Sequence, residues 1–152
     1  MKIGITGASG FLGSAIIAEA KRRDWGVVAY SRNPKRTVKG ADEVRSLADP
    51  EKINLEGLDS IIHLAGEPIV GWWTAEKRRR IYDSRIDLTE DLIEAIGQIA
   101  RSRRPQSLVS ASAIGFYGNR GDEWLDEDSD VGFGFLSEVC RDWEATSAKA
   151  TI

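Results

Sequence analysis

The stretch Lys2-Ile3-Gly4-Ile5-Thr6-Gly7-Ala8-Ser9-Gly10-Phe11-Leu12-Gly13 decides the fold. A short apolar run leads into three glycines spaced three residues apart, and a helix-like pattern follows. In a strand–loop–helix unit of this kind, Gly7 allows the tight turn, Gly10 admits a pyrophosphate to bare backbone, and Gly13 lets the helix pack closely on the strand. The free N–H groups at the helix start attract phosphate. We therefore predict a dinucleotide site; a purely structural turn is the alternative.

Composition excludes several classes of partner. The chain has 152 residues, a net charge of −3 and a calculated pI of about 5.3, which argues against nucleic acid or an anionic membrane as the main partner. No apolar run approaches the ~20 residues of a membrane span. The single cysteine, Cys140, cannot form an internal disulfide, so we expect a cytoplasmic protein in a reducing compartment.

Strand-like and helix-like segments alternate along the chain. Hydrophobic patterning predicts strands at residues 2–6, 27–30, 43–47, 59–66 and 107–112, and helices at residues 11–23, 74–103 and 135–149. This alternation predicts an α/β fold with a doubly wound parallel sheet. Thr151 and Ile152 resemble the first residues of a sixth strand, so the predicted sheet stops before that strand.

The end of the second predicted strand bears on the choice of cofactor. NAD sites usually place an acid about 20 residues beyond the glycines, where it binds the ribose 2′-hydroxyl. Here the strand runs into Ser31 and Arg32, and no acid occurs between residues 27 and 41. A guanidinium welcomes a 2′-phosphate, and a serine hydroxyl can donate to it. We therefore predict NADP(H) as the cofactor; a solvated basic loop is the alternative.

Other polar residues leave more than one interpretation. His63, the only histidine, lies in an apolar strand, which favours a hydrogen-bonded core residue over a catalytic one. Arg85 falls on the apolar stripe of the long helix and needs an anion there, either a cofactor phosphate or a structural carboxylate. Six of the nine residues 122–130 are acidic, which favours a solvated loop over a metal site.

Several motifs along nearly the whole chain resemble one family. They are Tyr30-Ser31-Arg32-Asn33-Pro34, Leu64-Ala65-Gly66-Glu67-Pro68-Ile69, Asp83-Ser84-Arg85, the Ser110–Gly118 stretch and Val139-Cys140-Arg141-Asp142-Trp143-Glu144. Together with the glycine loop, they are similar to the N-terminal half of atypical extended short-chain dehydrogenases/reductases. These relatives are known as epimerase family proteins, nucleoside-diphosphate-sugar epimerases or cell division inhibitor-like proteins.

This resemblance implies a Rossmann domain that binds NADP(H), with the family's substrate domain missing from residues 1–152. The implied cofactor contacts are Gly7, Gly10, Phe11, Leu12, Gly13, Ser31, Arg32, Leu64, Ala65, Gly66 and Arg85. Ser112 matches the catalytic serine that bonds the reacting oxygen of a substrate. The implied activity is an NADP(H)-dependent oxidoreductase or epimerase acting on an unknown carbonyl or nucleotide-sugar-like small molecule. An uncovered sheet edge would favour a homo-oligomer.

The chain departs from the superfamily at the catalytic pair. The Tyr-x-x-x-Lys of the superfamily corresponds here to Cys140 and Glu144, and a carboxylate raises the pKa of a neighbouring acid where lysine would lower it. Cys140 is either a thiol acid/base or, as we expect, a buried core residue. The alternative function is therefore a catalytically silent NADP(H)-binding regulator or sensor.

Overall fold

The computed structural model describes residues 1–152 and contains one sheet of five parallel strands with helices on both faces. The strands and α-helices are β1 (Lys2–Thr6), α1 (Phe11–Arg22), β2 (Gly26–Ser31), β3 (Glu43–Ser46), β4 (Ser60–His63), α2 (Ala75–Gln98), β5 (Ser107–Ser110) and α3 (Phe135–Ser147). Single 3₁₀ turns lie at Pro50–Lys52, Arg101–Arg103 and Ile114–Tyr117.

The strand order β3-β2-β1-β4-β5 confirms the doubly wound parallel sheet. All four strand pairs are parallel. The chain builds outward from β1 to β3 and then starts again on the other side of β1 with β4. In open sheets, ligands bind at such a switch point, outside the carboxyl ends of the strands.

Two apolar clusters hold the layers together. On one face, α1 packs through Ile17 and Ala20 against Ile3, Ile5 and Val27. On the opposite face, the α2 residues Leu92, Ala95 and Ile96, with Ile99 directly after the helix, pack against strand residues such as Val28 and Ile61. No helix is both long enough and apolar enough to cross a membrane.

The predicted face of α1 was correct at Ala20, which is buried, and at Ile16, which packs against the core, but wrong at its other positions. The sequence suggested a buried stripe of Leu12, Ile16 and Ala20 with Ala15 beside it, but Leu12 is 57% exposed and Ala15 is exposed as well. The buried positions are Gly13, Ile17 and Ala20. Gly13 lies against the loop that leaves β1, where a Cβ would come within 2.5 Å of the Gly7 carbonyl oxygen, and this contact turns the Gly13 face of α1 inward.

Six elements end earlier than predicted: α1 and β3 by one residue, α3 by two, and β4, β5 and α2 at positions that bear on the site. Strand β4 stops at His63 because the amides of Leu64 and Ala65 bind the Thr6 hydroxyl instead of a neighbouring strand. Strand β5 stops at Ser110, so Ser112 lies in the loop beyond it. Helix α2 ends at Gln98, and residues 151–152 form no strand.

An arginine fixes the end of α2. Arg104 donates from Nε to the carbonyl oxygen of Ile99 and from Nη2 to that of Gly97. These two bonds satisfy carbonyls that have no partner within the helix. The positive charge also suits the negative end of the helix dipole.

Candidate functional site

The glycine loop has the geometry that its spacing predicts. Gly7 has φ +67°, and a Cβ there would lie 2.8 Å from the carbonyl carbon of Leu64. A Cβ on Gly13 would lie 2.5 Å from the carbonyl oxygen of Gly7. Gly10 has ordinary backbone angles, and the nearest atom to a Cβ there is the Gly7 carbonyl oxygen at 3.2 Å. Gly7 and Gly13 are therefore required by the fold, whereas a Cβ on Gly10 would make one tight contact that a small backbone shift relieves.

The first turn of α1 presents backbone rather than side chains. Gly10 is the N-cap, and its carbonyl accepts from the amide of Ser14. The amides of Phe11, Leu12 and Gly13 therefore precede the first intrahelical bond. The Phe11 side chain is exposed, and no acid lies in this turn. Bare amides and the positive dipole end leave this helix start suited to an anion.

A cavity of about 870 Å³ opens at the carboxyl edge of the sheet beside this loop. It is lined by seven of the predicted cofactor contacts: Gly7, Gly10, Ser31, Arg32, Leu64, Ala65 and Gly66. The remaining predicted residues, Phe11, Leu12, Gly13, Arg85 and Ser112, are not among its lining residues. Its size is within the range of small-molecule sites.

The cavity is lined by basic and acidic side chains, and Arg80 lies on α2 beside the acids. Arg32 and Arg36 lie on the β2 side, and neither forms an ion pair. Asp83, Asp87 and Asp91 line the opposite wall from α2. Burial, followed by repulsion from neighbouring carboxylates, raises the pKa of both Asp87 and Asp91 above the ordinary range. Sequence reasoning missed this acidic wall, although the spacing of four residues places all three acids on one helical face.

A buried network holds the floor of the cavity. Thr89 donates to the carbonyl of Arg85, so its oxygen accepts from His63 Nε2 at 3.1 Å. Thr6 Oγ1 accepts from the amides of Leu64 and Ala65, so its proton goes to His63 Nδ1 at 2.6 Å. These bonds assign the neutral Nε2–H tautomer to His63 and tie the ends of β1 and β4 to α2. His63 is fully buried, as the core interpretation predicted.

We expect the protein to become less stable at acidic pH because of His63. Burial, with a smaller contribution from Arg85, lowers the pKa of His63 from 6.5 to about 4. The unfolded chain therefore binds more protons than the folded protein between pH 4 and 6.5, and the free energy of unfolding falls as pH falls through that window. Between pH 7 and 4.5 the wild type should lose about 2 kcal/mol more than His63→Gln, which cannot titrate. Urea unfolding at the two pH values measures this, and equal losses would contradict it.

Arg85 binds carbonyls rather than a carboxylate. Its Nη1 donates to the carbonyl oxygens of Glu67 at 3.1 Å and Ile81 at 3.0 Å, and no ion pair to it is present. The guanidinium lies 5.3 Å from the ring centre of Trp143, and a Cβ on Gly66 would lie 2.9 Å from its Cζ. Burial lowers the pKa of this guanidinium below its ordinary value. The structural-carboxylate alternative is therefore not what the structure shows.

Hydrogen bonds and an ion pair join the Leu-Ala-Gly-Glu-Pro motif after β4 to the helix that carries the Asp-Ser-Arg motif. The Glu67 amide donates to Ser84 Oγ at 2.8 Å, and the Glu67 carboxylate binds Lys77 Nζ at 2.7 Å. With the Arg85 contact, these bonds fasten the loop after β4 to the first turns of α2. Thr74 caps this helix by accepting from the Lys77 amide at 3.1 Å. The two stretches therefore hold each other in position through Glu67, Ser84 and Arg85.

Ser112 lies beside α3 and donates to the carboxylate of Glu144. Cys140 is 5% exposed, and burial raises the pKa of its thiol above the ordinary value. A buried thiol with a raised pKa is a poor acid/base near neutral pH, which favours the core interpretation of Cys140. The polar groups at this position of the fold are therefore the Ser112 hydroxyl and the Glu144 carboxylate. In the acidic loop, the structure has no group of three side chains that could hold a metal ion.

Comparison with known proteins identifies the family. Residues 3–133 match the sequence profile of the NAD dependent epimerase/dehydratase family. The chain belongs to this family. Among its relatives, the epimerase family protein SDR39U1 homolog of Arabidopsis thaliana, a chloroplastic protein, is 31% identical over 99% of this chain and 45% of its own length. The epimerase family protein YfhF of Bacillus subtilis is 34% identical over 95% of this chain and 48% of its own.

Solved structures support the same assignment. Human epimerase family protein SDR39U1, crystallised with NADPH, superposes with a TM-score of 0.84 at 26% identity, over 97% of this chain and 48% of that one. A nucleoside-diphosphate sugar epimerase from Corynebacterium glutamicum superposes with a TM-score of 0.76 at 34% identity, over 99% of this chain and 31% of that one. This epimerase family chain therefore spans about half the length of the curated relatives that it matches.

Proposed function

We propose that the chain binds NADP(H) and is the cofactor-binding part of an oxidoreductase or epimerase. The observation that carries this proposal is the cavity lined both by the glycine loop and by Arg32, a guanidinium without an ion-pair partner. NADPH was bound in the human relative, whereas MoeE5, a more distant structure at 24% identity, held NAD. The choice between NADP(H) and NAD(H) therefore depends on whether residues of this chain bind the 2′-phosphate.

The residues present fit a dinucleotide phosphate. The pyrophosphate would lie against the exposed backbone of Gly10 and would accept from the first amides of α1. The 2′-phosphate would lie against Ser31 and Arg32 at the end of β2. Leu64, Ala65 and Gly66 would form the floor. The guanidinium of Arg85 lies against Gly66 and is not bound to a carboxylate. Both observations support a role for Arg85 in holding the cofactor.

The nicotinamide supplies a hydride donor or acceptor, and Ser112 would act on the reacting oxygen. The hydroxyl proton of Ser112 is directed to the carboxylate of Glu144, so the lone pairs of the Ser112 oxygen are free to accept from a substrate hydroxyl. The hydroxyl proton would pass to Ser112 while the serine proton passes to the carboxylate. This polarity suits removal of hydride from a sugar-like alcohol better than reduction of a carbonyl, because the carboxylate takes up the proton that is released.

A catalytically silent NADP(H)-binding regulator is the second candidate. The observation that favours it is the pair at the Tyr-x-x-x-Lys positions, where a buried thiol with a raised pKa and a carboxylate replace the phenol and the amine. In this case Ser112 and Glu144 would form only a structural bond across the β5–α3 junction.

A turnover assay separates the two candidates. The protein, with any C-terminal continuation of its reading frame, is incubated with NADP⁺ and a panel of nucleotide sugars and alcohols, and with NADPH and the matching carbonyls. We expect a change in absorbance at the nicotinamide band with at least one substrate, and a loss of about 100-fold in Ser112→Ala, the usual size of an acid/base contribution. Cofactor binding without turnover across the panel would establish the regulator instead.

A further inference from the structure

The loop that precedes α3 presents a tryptophan among acidic side chains. This acidic loop, residues 119–131, contains six acids, and the side chain of Trp124 within it is 97% exposed. Of the six acids only Glu123 has an ion-pair partner, Arg120 at 2.7 Å. A large aromatic side chain exposed to this extent is typical of a surface that contacts another protein, because tryptophan is enriched among the residues that dominate binding energies.

Bonds within the acidic loop hold it in shape. Besides its ion pair, Arg120 donates to the carbonyl oxygen of Asp130 at 3.3 Å. The base of the loop is closed where the amide of Gly132 donates to the carbonyl oxygen of Phe116 at 2.9 Å. Trp124 is therefore presented by a braced loop, so less conformational entropy is lost when it binds a second surface.

A surface of opposite charge lies at the start of α2. This basic surface, residues 70–80, exposes Trp72 and Val70 in the loop before the helix. Four consecutive cations follow in the first turns: Lys77, Arg78, Arg79 and Arg80. Their ion pairs are made only with acids of α2 and of the loop before it, and Arg78 has none. The basic surface therefore complements the acidic loop in charge and also offers an apolar seat.

The two surfaces lie side by side on the molecule. Phe135, the first residue of α3, follows shortly after the acidic loop, and its ring lies 5.8 Å from that of Trp73 and 5.6 Å from the guanidinium carbon of Arg78. No ion pair joins the two surfaces within one copy. A patch that carries two complementary surfaces next to each other matches itself after a rotation of 180°. The chain itself thus supplies the complement of each surface.

We propose that the acidic loop of one copy docks on the basic surface of a second copy, with Trp124 packed on Val70 and Trp72, in a two-fold symmetric dimer. Each dimer contains this contact twice, so the acids of both loops face the cations at both α2 starts. The aromatic contact forms the centre of the interface and the charges form its rim. The dimer does not depend on cofactor binding.

Sedimentation equilibrium of the protein, with any C-terminal continuation of its reading frame, measures the Kd of the dimer. We expect a reversible dimer whose Kd rises ~10-fold between about 0.05 and 0.5 M salt, since exposed charges are screened. Trp124→Ser should raise the Kd at least ~30-fold, the effect of removing an interface hot spot. Because Trp124 is exposed, thermal unfolding of this variant should match that of the wild type.

Charge reversal tests whether the two surfaces meet between copies. Arg79→Glu and Glu127→Arg each place like charges at both contacts of the dimer, and each alone should raise the Kd at least ~10-fold. An equal mixture of the two variants should recover the wild-type Kd, because every mixed dimer pairs opposite charges at both contacts. Arg22→Glu is the matched control on α1: Arg22 is 79% exposed and pairs with Glu19, as Arg79 is 81% exposed and pairs with Asp83. It should change the Kd less than about threefold.

A monomer at every concentration would overturn the inference, including the case in which a C-terminal continuation covers both surfaces. A dimer with the wild-type Kd in Trp124→Ser would overturn it as well, since the copies would then meet through another face. Recovery in the double variant Arg79→Glu/Glu127→Arg without recovery in the mixture would place the two charges in contact within one copy and would also contradict it.

Discussion

A Gly13→Val variant is expected to lose about 3 kcal/mol of the free energy of unfolding, the upper end of the usual cost of overpacking. A Cβ at this position would lie 2.5 Å from the carbonyl oxygen of Gly7 and 2.7 Å from the Cα of Ala8. Both are backbone atoms of the loop that leaves β1, so α1 must move away from the sheet to admit the side chain. Urea unfolding followed by circular dichroism measures the loss.

Two further glycines make this prediction specific. Gly97→Ala in α2 places its Cβ where no atom lies within 4 Å, and it should leave stability unchanged or raise it slightly. Gly10→Ala should keep the fold, since its Cβ lies 3.2 Å from the Gly7 carbonyl oxygen and needs only a small shift there. It should weaken NADPH binding by about 100-fold, because the added methyl group would crowd the backbone proposed to hold the pyrophosphate. A stable Gly13→Val protein, or full NADPH affinity in Gly10→Ala, would contradict this account of the loop.

Arg32→Ala is expected to weaken NADPH binding by about 30-fold and to leave NADH binding unchanged. Arg32 lines the cavity and forms no ion pair, so its removal takes away a charge-assisted contact to the 2′-phosphate and breaks no bond within the protein. Fluorescence titration of the reduced nicotinamide measures both affinities. The resulting selectivity, expressed as the ratio of the two Kd values, should approach 1.

Lys35→Ala is the matched control for Arg32→Ala. Lys35 is an exposed cation of the same loop, but it does not line the cavity. It should change NADPH affinity less than threefold, since exposed charges are screened by solvent and salt. If Lys35→Ala and Arg32→Ala weaken NADPH and NADH alike, the basic loop acts only through its net charge.

Much of the fold could be predicted because local patterns and tertiary structure agree. The apolar run before Gly7 and the continuous apolar strand through Val28 indicate buried parallel strands. The glycine spacing fixes how β1 joins α1, since a Cβ on Gly7 or on Gly13 would clash with neighbouring backbone. The pattern also predicted a buried His63 in β4.

The parts that could not be predicted depend on contacts between distant segments. Strand β4 ends early because Thr6, 58 positions before Leu64, binds its amide. The bond between Ser112 and Glu144 joins a loop to a helix 32 residues away. Helical spacing alone could have revealed the common face of Asp83, Asp87 and Asp91, but the cavity that they line forms only when α2 packs across β2 and β4.

The most direct test of the central claim is a parallel titration of the wild-type protein with NADPH and NADH at one ionic strength. The claim is that the glycine loop cradles a dinucleotide and that the cations beyond β2 select the one with a 2′-phosphate. It predicts saturable binding of both cofactors, with a Kd for NADPH at least ~10-fold below that for NADH. Equal Kd values, or no binding of NADPH, would contradict it.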